Sequence, residues 1–96
     1  MKKVVDLQQF GDFLGTRLLG KEAREVVVSA LGSEAEVIVD FSGITGISVS
    51  FADEFGGKLL DAIGVETFRA RVRFRNADKG IADIVRFAMN GRLRAQ

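Results

Sequence analysis

Two serines and two acids lie close together in the middle of the chain, at Ser48, Ser50, Asp53 and Glu54. They follow an apolar segment and a polar loop, so the pattern predicts that they lie at the start of a helix. Backbone amides at a helix N-terminus stabilise anions, and a phosphate on either hydroxyl would be stabilised there. The serines have a simpler interpretation as helix caps, which most helix starts need. From the residues alone, both interpretations stay open.

Four arginines alternate with apolar residues later in the chain, at Arg69, Arg71, Arg73 and Arg75. A strand from Phe68 to Phe74 would place all four guanidinium groups on one side of a sheet, because strand side chains alternate between faces. Such a stripe is typical of a charged, soluble sheet edge. It would also suit an acidic protein or a nucleic-acid backbone. The chain has no Tyr or Trp, however, and so lacks the stacking platform of many single-strand binders.

The 96 residues include no histidine and no cysteine. Their absence excludes Ser-His and Cys-His catalysis, disulfides and Cys-based metal sites. The remaining possibilities are a magnesium site and a reaction that uses carboxylates such as Asp40, Asp53 and Glu54. For such a reaction the sequence offers no neighbouring group that would activate a nucleophile. We therefore expect no catalytic residue, no metal ion and no cofactor, and a protein that is not an enzyme.

The net charge and hydropathy of the chain indicate a water-soluble protein. The formal net charge is +1, which gives no strong attraction to nucleic acid or to a membrane surface. Apolar runs such as Val26–Val28 are far too short to cross a bilayer. The expectation is a cytoplasmic protein that binds neither membrane nor, as its main partner, nucleic acid.

The hydrophobic periodicity predicts three strands and three helices in alternation. The strands are Val4–Leu7, a central strand Glu36–Phe41 buried on both faces, and Phe68–Phe74; the helices run from Thr16 to Leu31, from near Ser50, and from a cap at Asp78. Strands that alternate with helices favour parallel pairing. The predicted fold class is α/β: one compact βαβαβα domain over residues 1–96, with a mostly parallel sheet and helices packed on it.

The segment from Val37 to Leu60, with Ser-Phe-Ala-Asp-Glu-Phe at Ser50–Phe55, resembles the STAS family, the sulfate-transporter and anti-sigma-factor-antagonist domain. It is most similar to the short STAS-like domains of unassigned function. The resemblance implies the STAS-like topology and a helix that presents its surface to a partner kinase or anti-sigma factor. It further implies that phosphorylation of a Ser at the start of this helix switches the binding.

The chain departs from the family pattern at the switch position. When the loops are aligned from Asp40, the Ser that is usually phosphorylated corresponds to Val49, and the neighbouring positions correspond to Ser48 and Ser50. Either Ser48 or Ser50 has taken over as phosphate acceptor, or the domain binds without such a switch.

Taken together, the residues and the resemblance predict a regulatory protein-binding module similar to an anti-sigma-factor antagonist. Its partner would be a kinase, an anti-sigma-type protein or another ATP-binding regulator, bound through Ser48, Ser50, Asp53 and Glu54. The alternative is a nucleic-acid-associated accessory protein that uses Arg69, Arg71, Arg73 and Arg75. Self-association into a homo-oligomer is left open.

Overall fold

Helices separate the three strands of the main sheet along the chain, as the sequence predicts, in a computed structural model that describes residues 1–94. The last two residues of the predicted domain, 95 and 96, lie outside the described part. In chain order the elements are β1 (Lys2–Asp6), a 3₁₀ turn (Leu7–Phe10), β2 (Phe13–Leu14), α1 (Arg17–Leu31), β3 (Glu36–Asp40), β4 (Gly46–Ile47), α2 (Val49–Ala52), a π-helical segment (Asp53–Gly57), α3 (Lys58–Ile63), α4 (Val65–Arg71), β5 (Val72–Arg75) and α5 (Lys79–Arg94).

The main sheet is parallel and has the strand order β1-β3-β5, so β3 is central as predicted. Val39 pairs in register with Val5 on one side and with Phe74 on the other. Val37 and Val39 are fully buried, whereas Ile38 on the opposite face is only half-buried. The prediction that β3 is buried on both faces is therefore wrong, because the second face is only partly covered. The α/β fold class and the compact single unit with a mostly parallel arrangement are confirmed.

The first and last helices follow the sequence prediction. Thr16 caps α1 by accepting a hydrogen bond from the Leu19 amide at 3.1 Å. Asp78 caps α5 in the same way, with the Ile81 amide 2.9 Å from its carboxylate. The face of α1 that packs on the sheet buries Ala23 and Val27. Both helices therefore start at side chains that satisfy otherwise unpaired amides.

The middle helix begins two residues earlier than the sequence predicts. Its cap is Ser48 rather than Ser50, and α2, the π-helical segment and α3 run on without a break from Val49 to Ile63. Phe51 and Phe55 on this helix are fully buried, and their rings stack with centroids 5.5 Å apart. The π-helical segment marks a local widening of the helix, a feature that often accompanies functional sites.

The predicted strand Phe68–Phe74 is wrong in its first half. Gly64, at φ 84°, ends α3 and precedes α4, a helix that the alternating sequence pattern did not predict. The strand starts only at Val72. Arg69 and Arg71 thus lie on a helix, and Arg73 and Arg75 lie on β5. The four arginines do not form one stripe on a face of the sheet, because the period of two applies only within a strand.

Candidate functional site

The hydroxyl of Ser48 is held at the start of α2 by two hydrogen bonds. It accepts from the Phe51 amide at 2.9 Å and donates to the Gly15 carbonyl at 3.0 Å. The Ser48 amide in turn donates to the Leu14 carbonyl at 3.0 Å. These bonds link the helix start to the end of the short strand β2, so Ser48 is a structural cap in this conformation.

Val49 and Ser50 form the exposed first turn of the same helix. Val49, at the position where the resemblance would place a phosphate acceptor, has 55% of its surface accessible to solvent. Ser50 is also exposed. The structure therefore separates the two candidate acceptors: the hydroxyl of Ser48 is engaged in the fold, and that of Ser50 faces solvent.

Glu54 is the most deeply enclosed acid in the region. Only 6% of its surface is accessible, and its carboxylate lies among three cations. The distances from its oxygens are 2.8 Å to Arg24 Nη1, 3.0 Å to Lys58 Nζ and 3.3 Å to Arg17 Nη1. A carboxylate that is buried and surrounded in this way stabilises the fold and offers little surface to a partner, contrary to the expectation for Glu54.

Asp53 lies at the edge of the same group of charges. Its Oδ2 is 2.7 Å from Arg92 Nη2 and 3.1 Å from Arg17 Nη1, and Arg92 also reaches Asp61 at 3.0 Å. Arg17 thus bridges Asp53 and Glu54. We call this set the ion network; its members are Arg17, Arg24, Asp53, Glu54, Lys58, Asp61 and Arg92. It joins α1, the middle helix and α5.

The cations hold both acids in the charged form. Hydrogen bonds from Arg92 and then Arg17 outweigh burial and lower the pKa of Asp53 to about 2. For Glu54 the hydrogen bond from Arg24 is the largest cause, followed among the favourable ones by Lys58, and the pKa falls to about 2. Neither carboxylate is suited to act as a general acid near neutral pH, because such an acid needs a raised pKa.

Close helix packing brings these charges together. A Cβ on Gly20 of α1 would meet the Glu54 Cβ at 2.9 Å and the Phe51 carbonyl at 3.0 Å, so only glycine allows this approach. A Cβ on Gly57 would meet the Asp53 carboxylate at 2.8 Å and the Arg92 side chain at 3.0 Å. Glycines on two helices therefore position the acids against their cations.

Sequence reasoning missed the basic half of the network. Arg17, Arg24 and Arg92 are distant along the chain from the acids, and only Lys58 carries a local signal, as the residue four positions after Glu54. Arg17 and Arg24 are seven residues apart and so share a face of α1, which could have suggested an acidic neighbour. Which acid they meet depends on the packing of the helices.

A patch of exposed apolar side chains borders the start of α2. Val49 and Phe87 line one groove together with Arg17 and Asp53, and 70% of the Phe87 surface is accessible. Phe13, with 62% accessible, lies on β2 beside the loop that leads to Val49. We call Phe13, Val49, Ser50 and Phe87 the docking surface.

Three of the four sequence-predicted arginines are bonded within the fold. Arg71 donates to the carbonyls of Leu31, Glu34 and Ala35 and so closes the C-terminal end of α1. Arg73 pairs with Glu36 at 3.8 Å, and Arg75 pairs with Asp40 at 3.2 Å. Arg69 is exposed.

Asp40 takes part in a separate polar cluster at the carboxyl end of β3. It accepts from the side chains of Asn76 at 3.0 Å, Ser42 at 2.8 Å and Arg75 at 3.2 Å, and hydrogen bonds from Asn76 and then Ser42 hold its pKa well below the usual range. Asp40 shares none of these partners with Asp53 or Glu54. The carboxylates that the sequence suggested as an alternative site thus lie in two different environments.

Within residues 1–94, no group of three or more acids, histidines or cysteines is arranged to hold a metal ion. None of the helices described in that range is both long enough and apolar enough to span a bilayer.

The fold and the site define a small α/β domain whose polar loop and capped helix follow the central parallel strand. Residues 15–82 match the family described as STAS-like domain of unknown function (DUF4325), and the chain belongs to that family. The predicted family membership is confirmed. Comparison with curated proteins and with solved structures gave no match.

Proposed function

We propose that this chain is a non-enzymatic regulatory module that binds an ATP-binding protein of the kinase or anti-sigma type through the docking surface. The observation that carries the proposal is the exposure of Val49, Phe13 and Phe87 around one helix start. Apolar side chains that cluster on a surface are typical of protein interfaces, and aromatic residues often supply most of the binding energy there. The STAS-like family is compatible with a regulatory role.

The docking surface replaces part of the interface that the sequence suggested. Glu54 is enclosed, and Asp53, which lines the groove beside Val49, is paired with two arginines, so both carboxylates are already engaged in the ion network. Ser50 and Val49 lie on the exposed first turn of the same helix. The ion network therefore supports the surface, and the apolar side chains make the contacts.

Ser50 is the proposed phosphate acceptor. Its side chain is exposed, whereas phosphorylation of Ser48 would remove the proton that its hydroxyl donates to the Gly15 carbonyl and would place the new charge at a half-buried position. The nearby acids do not oppose a phosphate strongly, because the ion network holds four cations and three carboxylates and so carries one net positive charge. A phosphate adds nearly two negative charges beside Val49 and changes the surface that a partner meets.

Nucleic-acid binding, the alternative function, stays a prediction. The feature that motivated it, four arginines aligned on one face of a strand, is not formed in the structure. Arg71, Arg73 and Arg75 bond to carbonyls or acids of the chain itself. A salt series of DNA and RNA binding separates the two functions, because several phosphate contacts give a steep dependence on salt. The proposed protein-binding role places the protein in the cytoplasm, where ATP-binding regulators have their nucleotide.

Affinity capture with matched variants tests the proposal. The tagged protein is incubated with extract of its native host, next to Val49→Lys, Phe87→Lys and the control Val28→Lys. Val28 is exposed by 41% but lies near the far end of α1. We expect the wild type and Val28→Lys to retain the same ATP-binding protein, and the other two variants to lose about tenfold in affinity, as interface anchors do. Equal capture by all four proteins would exclude this surface.

Intact-mass analysis of protein recovered from the host then tests the switch. Phosphate on Ser50, with Ser48 unmodified, is the expected result, and Ser50→Asp should weaken binding of the purified partner. A protein without phosphate in growth and in starvation would be a constitutive binding module.

A further inference from the structure

A cleft that is separate from the docking surface opens between α4, β5 and α5. Its volume is about 450 Å³, within the range of small-molecule sites in proteins. Most of its lining is apolar and includes Leu60, Val65, Phe68, Phe74, Val85 and Met89. On α5, Val85 and Met89 face this cleft, whereas Phe87 lines the groove of the docking surface.

Aromatic rings build one wall of the cleft. Phe74 lies in the middle, edge to face with Phe68 at 5.6 Å and with Phe41 at 5.4 Å between ring centroids. Edge-to-face pairs fix the orientation of the rings and leave a firm apolar surface. The wall is thus formed before any ligand arrives, which lowers the cost of binding an apolar group.

The polar residues around the cleft carry only positive charge or none. Arg69, Arg75 and Arg86 line it together with Asn76 and Asn90, and none of its described lining residues is acidic. Arg75 and Arg86 each keep free N–H groups beyond the one bond they make to an acid. Within residues 1–94 the Arg69 guanidinium forms no ion pair and is exposed to solvent.

We infer that this cleft binds a small amphiphilic anion, an aliphatic carboxylate whose chain lies against the phenylalanines and whose carboxylate pairs with Arg69. The apolar wall and the positive rim correspond to the two ends of such a molecule. A carboxylate matches the planar fork of a guanidinium and accepts two parallel hydrogen bonds from it. The volume suits a chain of medium length, and the site is independent of the partner-binding role.

Calorimetric titration with decanoate tests the assignment, with decanol as the uncharged probe. The protein should bind decanoate saturably and decanol about tenfold more weakly, because decanol cannot pair with Arg69. Arg69→Glu should weaken decanoate binding by at least about tenfold. Lys21→Glu makes the same change of charge on exposed α1, away from the cleft, and should leave the affinity unchanged. Ala82→Trp, which places a ring inside the cleft, should abolish binding of both probes.

Circular dichroism establishes that each variant keeps its fold before its affinity is compared. Absence of saturable decanoate binding would overturn the inference, as would equal affinities for decanoate and decanol or equal losses of affinity in Arg69→Glu and Lys21→Glu.

Light scattering at low and high protein concentration tests whether the protein self-associates through the cleft. A dimer that Ala82→Trp dissociates would show that a second copy of the chain covers the cleft, and would also refute a ligand site. None of these outcomes bears on Val49 or Phe87, so the two proposals fail separately.

Discussion

The guanidinium of Arg24 donates through one nitrogen, Nη1, to both the carboxylate and the backbone carbonyl of Glu54. One side chain of α1 therefore fixes both the backbone and the side chain of a residue in the π-helical segment. Lys58 and Arg17 complete the surroundings of the same carboxylate. Loss of Arg24 would leave this buried acid and its carbonyl without their closest donor.

Arg24→Met is expected to destabilise the domain by about 3 kcal/mol, because removal of one partner leaves a buried charge poorly compensated. Urea denaturation followed by circular dichroism measures the change. Lys79→Met breaks the exposed pair with Asp83 and should leave the stability unchanged, since exposed ion pairs contribute little. The double variant Arg24→Met/Glu54→Leu should recover much of the loss, and a double variant no more stable than the single one would contradict this account.

The stability of the domain should fall as the pH drops from about 5 towards 2. Asp53 and Glu54 have pKa values of about 2 in the folded protein, below those of an unfolded chain, so the unfolded state binds more protons in this interval. Protonation therefore favours unfolding, and the contribution is fully present only above the unfolded values. Free energies of unfolding at several pH values provide the measurement. In Glu54→Gln the slope should be smaller, and an unchanged slope would show that this acid is not responsible.

Ser48→Ala should destabilise the domain by about 1 kcal/mol, the usual cost of losing a helix cap. The change removes the acceptor of the Phe51 amide and the donor to the Gly15 carbonyl. Ser50→Ala, two residues away on the exposed side, should leave the melting temperature almost unchanged. Equal effects of the two substitutions in thermal unfolding would argue against Ser48 as the cap.

Gly20→Ala should destabilise the domain by about 2 kcal/mol, in the range of overpacked helix contacts. The new Cβ would meet the Phe51 carbonyl and the Glu54 Cβ, neither of which is the end of a flexible chain. Gly91→Ala is the matched control in α5, where nothing lies within 4 Å of the added Cβ. It should stabilise the helix by about 0.5–1 kcal/mol. Chemical denaturation of both variants provides the comparison, and a stable Gly20→Ala protein would show that the helices can separate at low cost.

The sequence was sufficient for the parallel α/β order, because the nearly continuous β-branched run Val37–Val39 marks a central strand and the apolar stripe of α1 recurs with the period of a helix. It was insufficient for α4. Alternating arginines from Arg69 to Arg75 are typical of a strand. Only Gly64, with its positive φ, marks the start of α4, the helix that precedes β5. Local pattern alone does not reveal such an interruption.

The candidate site was predicted only in part for a related reason. Ser50 and the start of the middle helix are local features, and the position of the capped helix was within two residues of the structure. The environment of Glu54 depends instead on Arg24, thirty residues earlier, and on how closely Gly20 allows two helices to approach. The exposure of Val49, Phe13 and Phe87 likewise follows from tertiary packing, which single-sequence patterns do not encode.

The ring of Phe13 lies between two residues that have no side chain. A Cβ on Gly15 would approach one edge of the ring to 2.9 Å, and a Cβ on Gly46 would approach the opposite edge to 3.0 Å. The two glycines therefore leave room for the ring to lie between their backbones, although most of its surface is open to water. A ring flanked by backbone at both edges has fewer orientations available than a ring on an open surface, so a partner that stacks on Phe13 would bind with a smaller loss of side-chain entropy.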